Sequence, residues 1–139
     1  MTKSFDRPFK IFLAEDSRAD VYLVELALQE HGITFELVTV FDGEEALKVV
    51  GAFGGGAPCP DIALIDQNMP REDGGTVMKL LRENPDCSKI PIIIMSSGET
   101  KQDRCMVEEF GAVFFRKPNN LPAFLELGAL TKSLLPTRN

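Results

Sequence analysis

The chain alternates between short apolar runs and longer stretches in which apolar residues recur every three or four positions. Short apolar runs between turn-forming residues are typical of buried β-strands, whereas the three-to-four spacing is typical of amphipathic α-helices. The runs predict strands over 10–14, 33–40, 62–65, 90–95 and 112–115. The helical spacing predicts helices over 18–31, 43–50, 76–83, 101–110 and 120–134.

Polar residues at the starts of the predicted helices support these boundaries. Ser17 with Asp20, and Asp42 with Glu45, have the spacing of a capping box, in which two side chains bond the free backbone N–H groups of the first turn. Gly32 stands where a helix C-terminal cap is expected. The capping pattern therefore agrees with the apolar spacing about where helices begin and end.

Strands and helices alternate five times, and no hairpin turn lies between any two strands. This alternation predicts a parallel sheet with helices on both faces. The expected fold is α/β, a doubly wound five-stranded parallel sheet of flavodoxin-like order 2-1-3-4-5 with five helices. At 139 residues the chain is expected to form one domain over 8–136, with short tails at 1–7 and 137–139.

Composition and charge narrow the classes of partner. A net charge of −6 argues against non-specific binding to nucleic acid or to an anionic membrane surface. No apolar stretch approaches the roughly 20 residues that span a bilayer, and the N-terminus lacks the apolar region of a signal peptide. The three cysteines, Cys59, Cys87 and Cys105, show neither a CxxC pair nor a disulfide framework. They are expected to be plain thiols in a reducing cytoplasm.

Polar groups follow four of the five predicted strands. Asp66 ends the third strand in the run Asp66-Gln67-Asn68-Met69-Pro70, and the other strand ends carry Glu15, Asp16, Ser96 and Lys117. In the predicted order these strand ends meet at one crevice. Three clustered carboxylates repel one another unless a cation lies among them, and oxygen ligands without nearby His or Cys favour Mg²⁺. Aspartate is also a covalent nucleophile for phosphoryl groups, so the crevice has the groups needed for phosphoryl chemistry.

This pattern resembles the receiver domain of two-component response regulators, and the resemblance covers nearly the whole chain. It rests on four motifs in order, which are Glu15-Asp16, Asp66 in DQNMP, Ser96, and Lys117-Pro118. The resemblance implies that Asp66 accepts a phosphoryl group from a phosphohistidine of a histidine kinase or a histidine phosphotransfer protein. It implies Mg²⁺ bound by Asp16, Asp66 and the backbone carbonyl of Asn68, with Glu15 acting through a water.

The resemblance also implies how a signal would leave the domain. Lys117 would pair with the phosphoryl group, Ser96 would move to hydrogen-bond it, and the switch aromatic Phe114 would then rotate inward. The output would be protein contacts on the face formed by the fourth helix, fifth strand and fifth helix, with an unidentified downstream protein. Self-catalysed phosphorylation and dephosphorylation would be the chemistry, rather than turnover of an external substrate.

Finer details point to a subfamily. The run Glu15-Asp16-Ser17-Arg18-Ala19-Asp20 and the long loop before the third strand look like those of stand-alone receivers that accompany bacterial phytochrome kinases. Many of those receivers pair through the fourth helix, fifth strand and fifth helix, so the resemblance allows a homodimer here. The Lys117-Pro118 bond is usually cis in the family. Gly98 has no side chain to shield a phosphoryl group, so we expect water to reach the acyl phosphate and the signal to be short-lived.

Other interpretations stay open at this point. Asp66 could merely cap a loop, Lys117 could be a solvated surface lysine, and His31 has the position of a helix-end residue. A phosphatase-like enzyme using Asp66 would need a substrate pocket and a second acid, for which the sequence gives no sign. A receiver that works without phosphorylation would have no reason to keep the clustered carboxylates, and a flavin site would need phosphate-binding backbone instead.

Overall fold

A computed structural model describes residues 7–67, 69, 74–98 and 100–136. The five strands are β1 (Phe9–Ala14), β2 (Phe35–Val40), β3 (Ile62–Asp66), β4 (Ile92–Ser96) and β5 (Val113–Arg116). The helices are α1 (Arg18–Glu30), α2 (Gly43–Ala52), α3 (Gly74–Glu83), α4 (Lys101–Phe110), α5 (Leu121–Phe124) and α6 (Glu126–Leu134). Among the described residues no helix has both the length and the apolar character needed to cross a bilayer.

The strands form one parallel sheet in the order β2-β1-β3-β4-β5, which confirms the predicted fold. Alternate residues of each strand point to opposite faces, and the helices divide between those faces. Helices α2, α3 and α4 cover one core with Phe12, Ile65 and Ile94, whereas α1, α5 and α6 cover the other with Leu13 and Leu64. Both faces of the central strands are therefore buried, and the chemistry is confined to the strand ends.

Several predicted boundaries differ from the structure. The second strand begins at Phe35 rather than residue 33, and Ile33 is buried just outside it. The predicted last helix is divided at Leu125, which keeps helical dihedral angles and joins α5 to α6, so the two pieces occupy the place of one helix. The Lys117–Pro118 peptide is trans, which corrects the cis expectation and is the lower-energy form for most bonds before proline.

Cys59 and Cys87 form a disulfide with Cα atoms 5.7 Å apart, so the expectation of plain thiols is wrong for these two residues. The segments carrying them lead into β3 and β4, and these neighbouring strands start at the same end of the sheet. Cys105 is free and exposed, as expected. The expectation of a reducing cytoplasm, which rested on unpaired thiols, is therefore no longer supported.

Candidate functional site

Three carboxylates meet where β1 and β3 end side by side. Ala14 pairs with Ile65 in the sheet, so Glu15 and Asp16, which follow β1, lie beside Asp66 at the end of β3. One oxygen from each carboxylate lies within 4.8 Å of the others. Glu15 and Asp66 are buried whereas Asp16 is exposed, so the cluster opens to solvent on one side. This arrangement matches the predicted crevice.

Lys117 brings a positive charge from the end of β5 into this cluster. Its ammonium group donates to Glu15 Oε1 at 2.7 Å and to Asp20 Oδ2 at 2.9 Å. It also lies 3.5 Å from Asp66 Oδ2. The side chain is only 15% exposed, which excludes the interpretation of Lys117 as a solvated surface lysine.

The charges of the site are set by burial and by these contacts. Burial raises the pKa of the Glu15 carboxyl to about 7, although the hydrogen bond and charge of Lys117 act in the opposite direction, and Asp66 adds to the rise. Burial also acts to lower the pKa of Lys117, but the carboxylates of Glu15 and Asp20, together with Asp66, raise it overall. Lys117 is therefore a cation at neutral pH. A further positive charge near Glu15 would favour the charged form of its carboxyl group.

The end of β4 completes the crevice. The Lys117 backbone N–H donates to the Ser96 carbonyl at 2.7 Å, so β4 and β5 are held together just beyond their last paired residues. Ser96 is 3% exposed, and its hydroxyl oxygen accepts from the Gly98 N–H at 3.3 Å. Ser97 is exposed. The predicted residue Ser96 is thus buried at the crevice, whereas its neighbour Ser97 faces solvent.

The donor set fits a hard divalent cation. Glu15, Asp16 and Asp66 offer carboxylate oxygens only, and oxygen donors with an open side suit an ion that keeps several waters. Burial raises the pKa of Glu15, and a cation bound beside it would favour the charged form of this carboxyl.

Comparison with known proteins decides the family. The family model for the response regulator receiver domain matches residues 11–127, a span that includes every one of these site residues. The chain belongs to the response regulator receiver family.

Similar receivers agree with this assignment. Response regulator Rcp1 of Synechocystis sp. is 32% identical over 105 residues, covering 74% of this chain and 71% of Rcp1. The phosphorylated cyanobacterial phytochrome response regulator RcpA superposes with a TM-score of 0.83 at 29% identity, over 96% of this chain and 98% of RcpA. The Mn²⁺-bound form of Rcp1 superposes with a TM-score of 0.81 at 29% identity, over 95% and 98% of the two chains.

Receiver domains accept phosphoryl groups from histidine kinases or phosphotransfer proteins, and they bind a divalent cation at an acidic cluster. In this receiver the cluster of Glu15, Asp16 and Asp66 fits that role. The predicted ligand Asn68 lies outside the described residues. Phe114 is half-buried in β5, where it pairs with Ile94 and packs against the core beneath α4.

Sequence reasoning missed the contact between Asp20 and Lys117. Its spacing from Ser17 predicts a capping box, and half of that box forms, since the Ser17 hydroxyl accepts from the Asp20 N–H. The Asp20 carboxylate instead bonds Lys117, and the Ser17 N–H donates to Glu15 Oε2 at 3.2 Å. The one available signal was the nearness of Asp20 to the acidic pair, and a local cap explains that equally well.

Proposed function

We propose that this receiver accepts a phosphoryl group on Asp66 from the phosphohistidine of a histidine kinase or a histidine phosphotransfer protein, in a Mg²⁺-dependent reaction. The observation that carries the proposal is the position of Lys117 Nζ, 3.5 Å from Asp66 Oδ2, on the edge of a cluster with cation-binding geometry. A carboxylate placed beside a fixed ammonium and a cation site is suited to hold the negative charge of a phosphoryl group.

In the proposed transfer an Asp66 carboxylate oxygen attacks the phosphorus of the phosphohistidine. The new P–O bond forms as the P–N bond breaks, and the released imidazole nitrogen takes a proton from solvent. Lys117 pairs with the phosphoryl oxygens and so offsets charge that Asp66 alone would repel. Loss of the group to water restores the Asp66 carboxylate and releases inorganic phosphate, which returns the site to its unphosphorylated state.

Mg²⁺ would be held by Asp16, Asp66 and the Asn68 carbonyl, with Glu15 acting through a water. When bound, the ion supplies charge stabilisation to the phosphoryl oxygens. The chain's own contribution is to bring the carboxylates together on rigid strand ends. Burial of Glu15 and Asp66 limits the water around the reacting carboxylate, which strengthens its interaction with Lys117.

We propose that the signal leaves through Ser96 and Phe114 to the face formed by α4, β5 and the segment α5–α6. The buried Ser96 hydroxyl lies on the strand next to Phe114, which lines a cavity of about 260 Å³ with Arg104, Val107 and Glu108. This space between α4 and β5 gives an aromatic ring room to change position. A downstream protein or a second copy of the chain would bind the altered face.

The proposed setting is a phytochrome-associated system in the cytoplasm, where a disulfide such as Cys59–Cys87 is uncommon and open to reduction. The proposed domain bounds are 8–136. The phytochrome association is supported by the name of one similar protein, the cyanobacterial phytochrome response regulator RcpA. The negative net charge of the chain supports a protein partner rather than nucleic acid or membrane. A purified phytochrome kinase that transfers its phosphoryl group to this receiver faster than an unrelated kinase does would support the setting, and equal rates would contradict it.

The proposed chemistry is tested with acetyl phosphate as a small phosphoryl donor. The protein is incubated with and without Mg²⁺, and its intact mass is followed. The proposal predicts a Mg²⁺-dependent gain of one phosphoryl group that Asp66→Asn abolishes and that Asp86→Asn, at an exposed remote position, leaves unchanged. No gain in the wild-type protein would favour a binding module that works without phosphorylation, and turnover of a free phosphate ester would favour a phosphatase.

A further inference from the structure

The Lys117 ammonium group lies close to three carboxylates and donates hydrogen bonds to two of them. A lysine ammonium carries three N–H groups and accepts nothing. Glu15 and Asp20 take two of them at 2.7 and 2.9 Å, and Asp66 lies at 3.5 Å. A phosphoryl group on Asp66 adds further acceptor oxygens beside the same ammonium. The remaining donor can bond one phosphoryl oxygen, and a second bond to the phosphoryl group requires that the contact with Glu15 or Asp20 weaken.

Glu15 is poorly placed to release Lys117. Its side chain is 1% exposed, so water could not replace Lys117 as the hydrogen-bond partner of its charged oxygens. Its second oxygen already accepts from the Ser17 N–H, which holds the carboxylate in place. Releasing Lys117 from Glu15 would leave a buried charge without compensation.

Asp20 can release Lys117 at a smaller cost. Its side chain is 27% exposed, so water can replace the ammonium as its hydrogen-bond partner. It lies in the first turn of α1, where the helix dipole favours a negative charge. It also lines an open cavity of about 590 Å³ together with Ser97, Lys117 and Pro118, which leaves room for the side chains to separate.

We propose that Asp20 is a positioning residue that competes with the phosphoryl group on Asp66 for Lys117. The inference rests on the proposed function, because it assigns a role to Asp20 only if Asp66 carries the phosphoryl group. In the unphosphorylated protein Asp20 holds Lys117 towards α1. In the phosphorylated protein that contact is exchanged for one with phosphoryl oxygens, so Asp20 lowers the affinity of the site for the phosphoryl group.

The test measures equilibrium binding of beryllium trifluoride, an anion that forms a tetrahedral phosphoryl-like adduct with an aspartate carboxylate. Titration calorimetry with saturating Mg²⁺ compares the wild-type protein with Asp20→Asn, which keeps the side-chain size but removes the charge. Glu30→Gln removes the same charge from an exposed position at the far end of α1 and is the matched control. Thermal unfolding of each variant confirms that it is folded.

We expect Asp20→Asn to bind beryllium trifluoride about threefold more tightly, the scale of a partly exposed ion pair, and Glu30→Gln to bind as the wild type does. The difference should persist in about 1 M KCl, where a Debye length of about 3 Å screens general charge effects but not a direct contact. Unchanged or weaker binding by Asp20→Asn, an equal change in Glu30→Gln, or loss of the difference in KCl would overturn the inference. If the wild-type protein itself binds no beryllium trifluoride, the proposed function fails, which is a distinct result.

Discussion

Lys117 Nζ lies 2.7 Å from Glu15 Oε1, joining the end of β5 to the end of β1 across a separation of 102 residues. The charged form of either residue would be unfavourable at this buried position without the other. Burial disfavours the charge of each, whereas their contact favours it. The pair therefore links stability to the site's chemistry, because the ammonium that neutralises Glu15 is also the group proposed to bind the phosphoryl oxygens.

Replacing Lys117 with methionine should destabilise the protein by about 2–3 kcal/mol, less than for a fully buried pair because the site is open on the Asp16 side. Urea unfolding in EDTA measures this change. Added Mg²⁺ should recover part of the loss, since a cation would replace the missing positive charge. Lys10→Met is the matched control, because Lys10 pairs with Glu36 at the surface and should contribute at most about 1 kcal/mol. Equal losses in the two variants would contradict the role assigned to Lys117.

A side chain at Gly98 should lengthen the life of the phosphorylated form. A Cβ atom there would meet no heavy atom within 4 Å, so Gly98→Glu or Gly98→Arg fits without disturbing the backbone. We expect the larger side chain to hinder water and to slow dephosphorylation by about threefold or more, as exclusion of water does in closed active sites. The decay of the phosphorylated mass after removal of acetyl phosphate measures the rate.

The control for this prediction is Gly51→Glu. A Cβ atom at Gly51 also meets no heavy atom within 4 Å, and this residue lies near the exposed C-terminal end of α2 rather than at the crevice. It should decay at the wild-type rate. If Gly98→Glu and Gly98→Arg decay no more slowly than the wild type, shielding by this position is wrong and the lifetime is set elsewhere in the crevice.

The Cys59–Cys87 disulfide should contribute to stability because it closes a 28-residue segment of the chain. Cys59→Ser should lower the free energy of unfolding by about 2–4 kcal/mol, mainly by freeing the unfolded chain. Urea unfolding without reductant measures this loss. The same variant in dithiothreitol should match the reduced wild-type protein to within about 1 kcal/mol, the scale of an ordinary point substitution. Cys105→Ser, which removes the free exposed thiol, should have little effect. A Cys59→Ser variant as stable as the oxidised wild type would argue that no disulfide forms.

A side chain at Gly128 should destabilise the protein, because α6 approaches α1 closely at this point. A Cβ atom there would overlap the carbonyl oxygen of Ala27 and crowd the ring of His31, which itself bonds the Leu125 carbonyl at 3.1 Å. Gly128→Ala should therefore cost about 1–3 kcal/mol through overpacking, as judged by its urea midpoint. Gly51→Ala, in an open helical position, should be neutral or slightly stabilising. The reverse order of the two variants would contradict the close packing of α1 and α6.

The sheet order and the meeting of the strand ends were predictable because they follow from simple rules. Apolar runs alternating with helical spacing require a parallel sheet, and right-handed connections leave few orders for it. Once the order was known, Asp66 and Lys117 had to lie at the same edge. The positions of Glu15, Asp16 and Ser96 followed in the same way, although the roles of these residues stay proposals.

The features that escaped prediction each depend on contacts between distant parts of the chain. Asp20 fits a local cap, and only the fold shows that its carboxylate reaches Lys117, 97 residues away. Cys59 and Cys87 are 28 residues apart with no motif, and their pairing follows only from the neighbouring positions of β3 and β4. The break at Leu125 occurs within a continuous apolar pattern, so the spacing of residues gave no sign of it.

The most direct test of the account is to identify the side chain that carries the phosphoryl group. The protein is phosphorylated with acetyl phosphate and Mg²⁺ and then treated with borohydride, which reduces an aspartyl phosphate to homoserine. Peptide mass spectrometry locates the reduced residue. The account predicts homoserine at Asp66 and at no other aspartate. Homoserine at Asp16 or Asp20 instead, or none in a protein that has gained phosphoryl mass, would contradict the assignment of Asp66 as the acceptor.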